Sequence, residues 1–178
     1  TVVSDTYLTA TVPSGATTGP VVVFSTIGGS LTSNTNFRVT PPPPPVVSPP
    51  AGTGSSQAFT FTYTDLAGYQ DISGSQIIIN STTSAAGACY ILFGRGSNAI
   101  ALANDAGTPG PLTTLGAPTV LQNSQCSVLA SISSQTFSGN TVSLTLYVVF
   151  KPSFAGLKNV STAFSTNAGV SSGLQPVG

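Results

Sequence analysis

Phe59-Thr60-Phe61-Thr62-Tyr63-Thr64 alternates ring and hydroxyl for six residues. Successive side chains on a strand point to opposite faces, so this stretch predicts a half-buried strand with its three rings inward and its three threonines outward. The same reading extends along the chain. Residues 75–79, 89–93, 99–102, 126–132, 142–150, 160–164 and 170–174 read as further strands. Gly94-Arg95-Gly96-Ser97, Ser138-Gly139-Asn140 and Asn167-Ala168-Gly169 read as hairpin turns, and Asp65-Leu66-Ala67-Gly68 as another turn. Residues 104–125 hold Pro109, Pro111 and Pro118 and read as a long irregular connection. Upstream, residues 7–12, 21–25 and 36–39 have strand character, separated by Pro13-Ser14-Gly15-Ala16 and Gly28-Gly29. No stretch places apolar residues at helical spacing. Short antiparallel strands at this spacing predict sandwiches of two sheets.

Composition narrows the chemistry. The 178 residues contain four Lys+Arg, four Asp, and no Glu, His, Met or Trp; charged residues are 4% of the chain, against roughly 25% in an ordinary soluble domain. Zero net charge with a mean hydropathy of +0.32 argues for a folded chain with little repulsion between copies. Arg38, Arg95, Lys151 and Lys158 are scattered and form no basic stripe, which excludes nucleic acid as an expected partner. No run of apolar residues is long enough for a membrane span. Thr1-Val2-Val3-Ser4-Asp5 has neither a basic nor an apolar leader segment, so a secretory signal is expected to have been removed or to lie upstream.

Pro41-Pro42-Pro43-Pro44-Pro45-Val46-Val47-Ser48-Pro49-Pro50 divides the chain. Proline lacks the N–H that a ladder needs, so the run reads as an extended spacer, followed by the flexible Ala51-Gly52-Thr53-Gly54-Ser55-Ser56. The expected organisation is a β unit over 1–40, a linker over 41–55 and a complete β domain over 56–178.

Residues 1–40 resemble the second half of an IPT/TIG domain. The run that carries the resemblance is Val3-Ser4-Asp5-Thr6-Tyr7-Leu8-Thr9-Ala10-Thr11-Val12-Pro13-Ser14-Gly15-Ala16-Thr17-Thr18-Gly19-Pro20-Val21, with the later Gly28-Gly29 and Asn36-Phe37-Arg38-Val39. The resemblance implies an immunoglobulin-like unit whose earlier strands are missing here. Residues 56–178 are similar to an Ig-like module at the ends of large secreted bacterial proteins. That similarity rests on Phe59-Thr60-Phe61-Thr62-Tyr63-Thr64-Asp65, Ala88-Cys89-Tyr90, Leu121-Gln122-Asn123-Ser124-Gln125-Cys126 and Lys151-Pro152-Ser153-Phe154-Ala155-Gly156. It implies an Ig-like sandwich and brings no catalytic or ligand-binding residue with it.

Candidate sites are few. Cys89 and Cys126 are read as a disulfide in preference to two buried thiols, because the composition looks extracellular and neither cysteine has a CxxC or His neighbour for zinc. Asp65 and Asp71 bracket one loop whose carbonyls could complete a calcium shell, although a plain turn is preferred and no other cofactor is expected. Asn80 and Asn159 match the N-glycosylation pattern. Tyr7, Tyr63, Tyr69, Tyr90 and Tyr147 could stack on sugars if exposed together, but core and cross-strand packing is preferred. Catalysis is not expected, since Asp5, Asp65, Asp71 and Asp105 each sit at a turn and no base accompanies any serine. The sequence therefore reads as a non-catalytic extracellular structural or adhesive module of a bacterial surface protein or fibre. Its expected partners are other copies of itself or upstream domains of the same protein. The alternative is a carbohydrate- or receptor-binding module using the 104–125 loop, with a surface glycan as ligand.

Overall fold

The computed structural model describes residues 1–4, 6–10, 12, 16–39 and 42–178. The turn expected at Pro13-Ser14-Gly15, Asp5 and the first proline of the run, Pro41, lie outside the described residues. The chain forms two units, Thr1–Pro41 and Pro42–Gly178. It is almost wholly β, and every strand pairing is antiparallel.

Among the described residues the first unit holds two separate two-stranded sheets. Strand β1 (Val2–Ser4) pairs β2 (Tyr7–Leu8), and β3 (Gly19–Phe24) pairs β4 (Ser30–Phe37) around the expected turn at Gly28-Gly29. β4 starts well before the 36–39 segment that sequence had suggested. The pairing slips between Pro20 and Val22, where the Val21 amide donates to Ser33 Oγ at 2.9 Å instead of to the ladder.

The second unit has two six-stranded sheets. One contains β5 (Val46–Ser48), β6 (Ser56–Thr64), β11 (Val120–Gln122), β12 (Cys126–Leu129), β13 (Ser134–Ser138) and β14 (Thr141–Phe150). The other contains β7 (Ile72–Asn80), β8 (Cys89–Gly94), β9 (Ala99–Leu102), β10 (Leu112–Thr114), β15 (Asn159–Thr166) and β16 (Gln175–Pro176). The alternation of residues 59–64 has the expected outcome. Phe61 and Tyr63 are fully buried, and they sit opposite Leu144 and Val142 on β14, also fully buried. Thr60 and Thr64 lie on the outer face, where their hydroxyls meet those of Thr145 and Thr141 at 3.0 and 3.3 Å. Each such apolar side chain contributes about 1.5–3 kcal/mol relative to exposure.

Residues of both sheets share one hydrophobic cluster. Tyr63 of β6 packs against Phe164 of β15 with centroids 5.8 Å apart, and its hydroxyl hydrogen-bonds the Thr162 hydroxyl at 3.0 Å. Gln135 of β13 donates from Nε2 to Asn98 Oδ1 at 2.7 Å, a second polar tie from sheet to sheet.

Four expectations need correction. The Pro/Gly-rich linker does not run unbroken over 41–55: Val46–Ser48 pairs with β6 opposite residues 60–62, and Val47 is buried. A proline-flanked segment can do this because an edge strand has to satisfy a partner on one side only. The 104–125 connection contains β10 and β11, three-residue strands at two sheet edges. Residues 126–132 are a strand only to Leu129 and then a 3-10 turn, and the hairpin at Gly139-Asn140 pairs β14 with β13. Gly139 takes the turn at φ +55°, the positive region a two-residue hairpin loop needs at its first central position. Finally, residues 170–174 form no strand, only a bridge at Ser171; β16 at Gln175–Pro176 supplies that edge of the sheet.

Candidate functional site

Cys89 opens β8 and Cys126 opens β12, so their disulfide crosses from one sheet to the other. Both residues are fully buried. Beside the bridge, Asn123 uses its whole side chain. Nδ2 donates to the carbonyls of Ala88 (3.0 Å) and Ala103 (2.9 Å), and Oδ1 accepts from the amides of Gln125 and Cys126 (2.9 Å each). One turn residue thus holds the approaches to both cysteines.

The neighbouring loops are tied in the same way. Ser124 donates its hydroxyl to Asp105 Oδ2 at 2.6 Å and its amide to Oδ1 at 3.0 Å. The Ser124 hydroxyl, then its amide, hold the Asp105 carboxyl below the usual carboxylate value. Asn104 Oδ1 accepts from the amides of Ala106 and Thr108. In the 104–125 region that sequence offered as a binding loop, Asn104, Asp105, Asn123 and Ser124 are engaged in holding the loops themselves.

Asp65 and Asp71 are not gathered into an ion shell. Asp65 is buried, and its Oδ1 accepts the Ala67 amide at 2.7 Å in a local turn. Two carbonyls flanking Asp71 already have donors. Arg95 reaches across from the β8–β9 turn, its Nε bonded to the Ile72 carbonyl and its Nη2 to the Gln70 carbonyl at 2.8 Å. Gln70 also accepts from Asn167 Nδ2 at 2.9 Å. Among the described residues no three His, Cys, Asp or Glu side chains come together.

Asn80 and Asn159 face each other in register across β7 and β15. Asn80 is buried, and its amide donates to the Ser84 and Ala86 carbonyls at 3.1 and 3.4 Å, whereas Asn159 is exposed. The four tyrosines of the second unit form no common platform. Tyr63 is in the core, and Tyr90 and Tyr147 lie on the outer faces of different sheets. Tyr69 stacks on Phe137 at 4.7 Å under the Arg95 guanidinium, 6.0 Å from the Tyr69 centroid. Tyr7, in the first unit, is exposed.

The sequence reading did not anticipate one concavity in the second unit. At the end of the strands where β6 and β15 begin and β7 and β14 finish, a groove of about 840 Å³ opens beside the 49–55 segment. Phe59, Ile79, Phe154 and Val160 form its buried floor, and Phe150 joins Phe59 and Phe154 at centroid distances of 6.4 and 6.2 Å. Lys151 and Lys158 also line it, and no aspartate does. Its residues come from strand ends far apart in sequence, so no local pattern announces it. The one legible hint is Lys151-Pro152-Ser153-Phe154, where a proline-started 3-10 turn sets Phe154 inward.

Among the described residues no helix is long and apolar enough to cross a membrane. No family model, curated protein or solved structure matches this chain.

Proposed function

We propose that the chain is a non-catalytic extracellular structural module of a bacterial surface protein or self-assembling fibre. In this reading residues 42–178 form an Ig-like sandwich stapled by its disulfide, and the β3–β4 hairpin completes its sheet with strands from outside the second unit. The observation that carries this is the exposure of consecutive residues on β3. Val21, Val22, Val23 and Phe24 are 43, 41, 39 and 79% exposed, and Ile27, Leu31 and Phe37 are exposed as well. Alternate residues of a strand point to opposite faces, so among the described residues of the first unit neither face of the apolar β3 is covered. Among those residues its sheet has only two strands, which leaves both edges open within the unit. A lone hairpin is marginal in water, and an open apolar edge templates strand addition.

The second unit shows the opposite treatment. Four of its edge positions are occupied by strands of three residues or fewer, β5, β10, β11 and β16. Short edges discourage pairing with other chains. The engagement of Asn104, Asp105, Asn123 and Ser124 within their own loops supports a structural role over loop-borne binding.

Sedimentation velocity of the full chain over a range of concentrations tests the proposal. Oligomers should grow with concentration, and Val22→Lys or Leu31→Lys should suppress them, because a charge on an open strand opposes addition. A monomer at every concentration, indifferent to both substitutions, would overturn it.

A further inference from the structure

The outer edge of β3 carries a hydrogen-bonding pattern of its own. Along a strand, the peptide groups of alternate residues point to opposite edges. The Val21 amide turns toward β4, where it meets Ser33 Oγ, and the Ser25 amide turns the same way, donating to the Gly29 carbonyl at 2.9 Å. The N–H and C=O of Val22 and Phe24 therefore face away from β4, onto an edge that no other described strand pairs. Pro20 adds a carbonyl to that edge but no donor.

The outer edge of β4 is less suited to pairing. Ser33, Asn34 and Thr35 lie between the β4 partners of Val22 and Pro20, where β3 has Val21 alone. Such a bulge interrupts an edge, and β4 is mostly polar around it. Val21-Val22-Val23-Phe24 is apolar throughout and rich in β-branched residues that favour strands.

We propose that β3 pairs antiparallel with β3 of a second copy, about a two-fold axis that passes between their two Val23 residues. This rests on the reading that the hairpin is completed from outside, and it names the edge, the partner and the register. Val22 then exchanges both of its hydrogen bonds with Phe24 of the second copy, and Phe24 with the second copy's Val22. Every outward N–H and C=O of these two residues is used. On the face they share, each valine lies beside a phenylalanine, a favourable cross-strand pair. Val23 stands opposite its own symmetry mate as a non-hydrogen-bonded pair, about 4.5 Å apart at Cα. One patch serves both copies, so the contact closes as a dimer. The paired segment is short, which puts the contact at the low end of specific interfaces and makes it reversible with concentration.

The test combines cross-linking and sedimentation of the full chain. Val23→Cys, oxidised at a concentration where the parent associates, should give a disulfide-linked dimer, because the expected spacing falls within the roughly 4.4–6.8 Å between Cα atoms that a disulfide spans. Val21→Cys and Leu31→Cys should not cross-link under the same conditions. Cys89 and Cys126 are paired with each other and leave no thiol to compete. Val22→Pro removes an outward donor without touching the hairpin's own ladder, and should weaken association at least tenfold. Thr32 lies opposite Val22, so Thr32→Pro is the matching change on the outer edge of β4 and should leave association unchanged. Equal cross-linking by Val21→Cys or Leu31→Cys, or a loss from Thr32→Pro that equals or exceeds the loss from Val22→Pro, would overturn this pairing while leaving completion of the hairpin from outside intact. A parent that stays monomeric at every concentration would overturn both.

Discussion

Cys89 and Cys126 lie 5.6 Å apart at Cα, one on each sheet, so their disulfide staples together the two layers that share the core. Their separation of 37 residues makes the bridge worth about 4 kcal/mol in the chain-entropy view. Urea unfolding with and without reductant should therefore differ by roughly 3–4 kcal/mol. Intact-mass measurement after alkylation should find no free thiol before reduction and two after it.

Asn123 does for the adjoining loops what the disulfide does for the sheets. Asn123→Ala would strand two carbonyls and two amides at a half-buried junction. The expected loss is about 2–3 kcal/mol, read as a lower urea midpoint with an unchanged slope. Asn123→Asp should be no better at neutral pH, because a carboxylate cannot donate to the Ala88 and Ala103 carbonyls.

The Asp105–Ser124 clamp sets an acid-side dependence. The folded value of Asp105 lies below its unfolded one, so the clamp stabilises above the unfolded carboxylate range and is lost as pH falls through the folded value. Asp105→Asn should therefore be less stable than the parent at neutral pH, with the difference vanishing at low pH. A difference independent of pH would contradict the assignment.

Tyr63 sets the alkaline side. Burial pushes its phenol up to about 12, against hydrogen bonding that includes the Thr162 hydroxyl. Its folded value exceeds the unfolded one, so the contribution is complete below pH 10 and disappears as pH rises from 10 to about 12. A shift of this size corresponds to roughly 3 kcal/mol. Tyr63→Phe should cost about 1 kcal/mol at neutral pH through its lost hydrogen bond, yet fall off less steeply than the parent above pH 10.

Much of the second unit was legible because β6 and β14 alternate along most of their length: Phe59, Phe61 and Tyr63 on β6 and Val142, Leu144, Leu146 and Val148 on β14 all turn inward. What escaped were the edges. Val46–Ser48 is hidden among prolines, Val120–Gln122 is too short to show a period, and Ser134–Ser138 is mostly polar. The strand expected over 170–174 is absent apart from a bridge at Ser171; with two serines and a glycine the segment has little apolar surface to bury. The paired cysteines were readable as a disulfide. The groove was not, because Phe59, Ile79, Phe150 and Val160 meet only once the sheets have formed. Nor could the sequence reveal that Arg95 takes the carbonyls around Asp71, since a cation arriving from another turn is a tertiary event.

The central claim is that the β3–β4 hairpin is completed by strands from elsewhere, with a second copy the partner available to the chain alone. Amide hydrogen exchange of the full chain, dilute and then concentrated, reads this directly. The account predicts that amides of Gly19–Phe24 and Ser30–Phe37 exchange rapidly in dilute solution and become protected on concentration, while β6 and β14 stay protected throughout. Strong protection of the hairpin in dilute monomer, or none in concentrated solution, would contradict it.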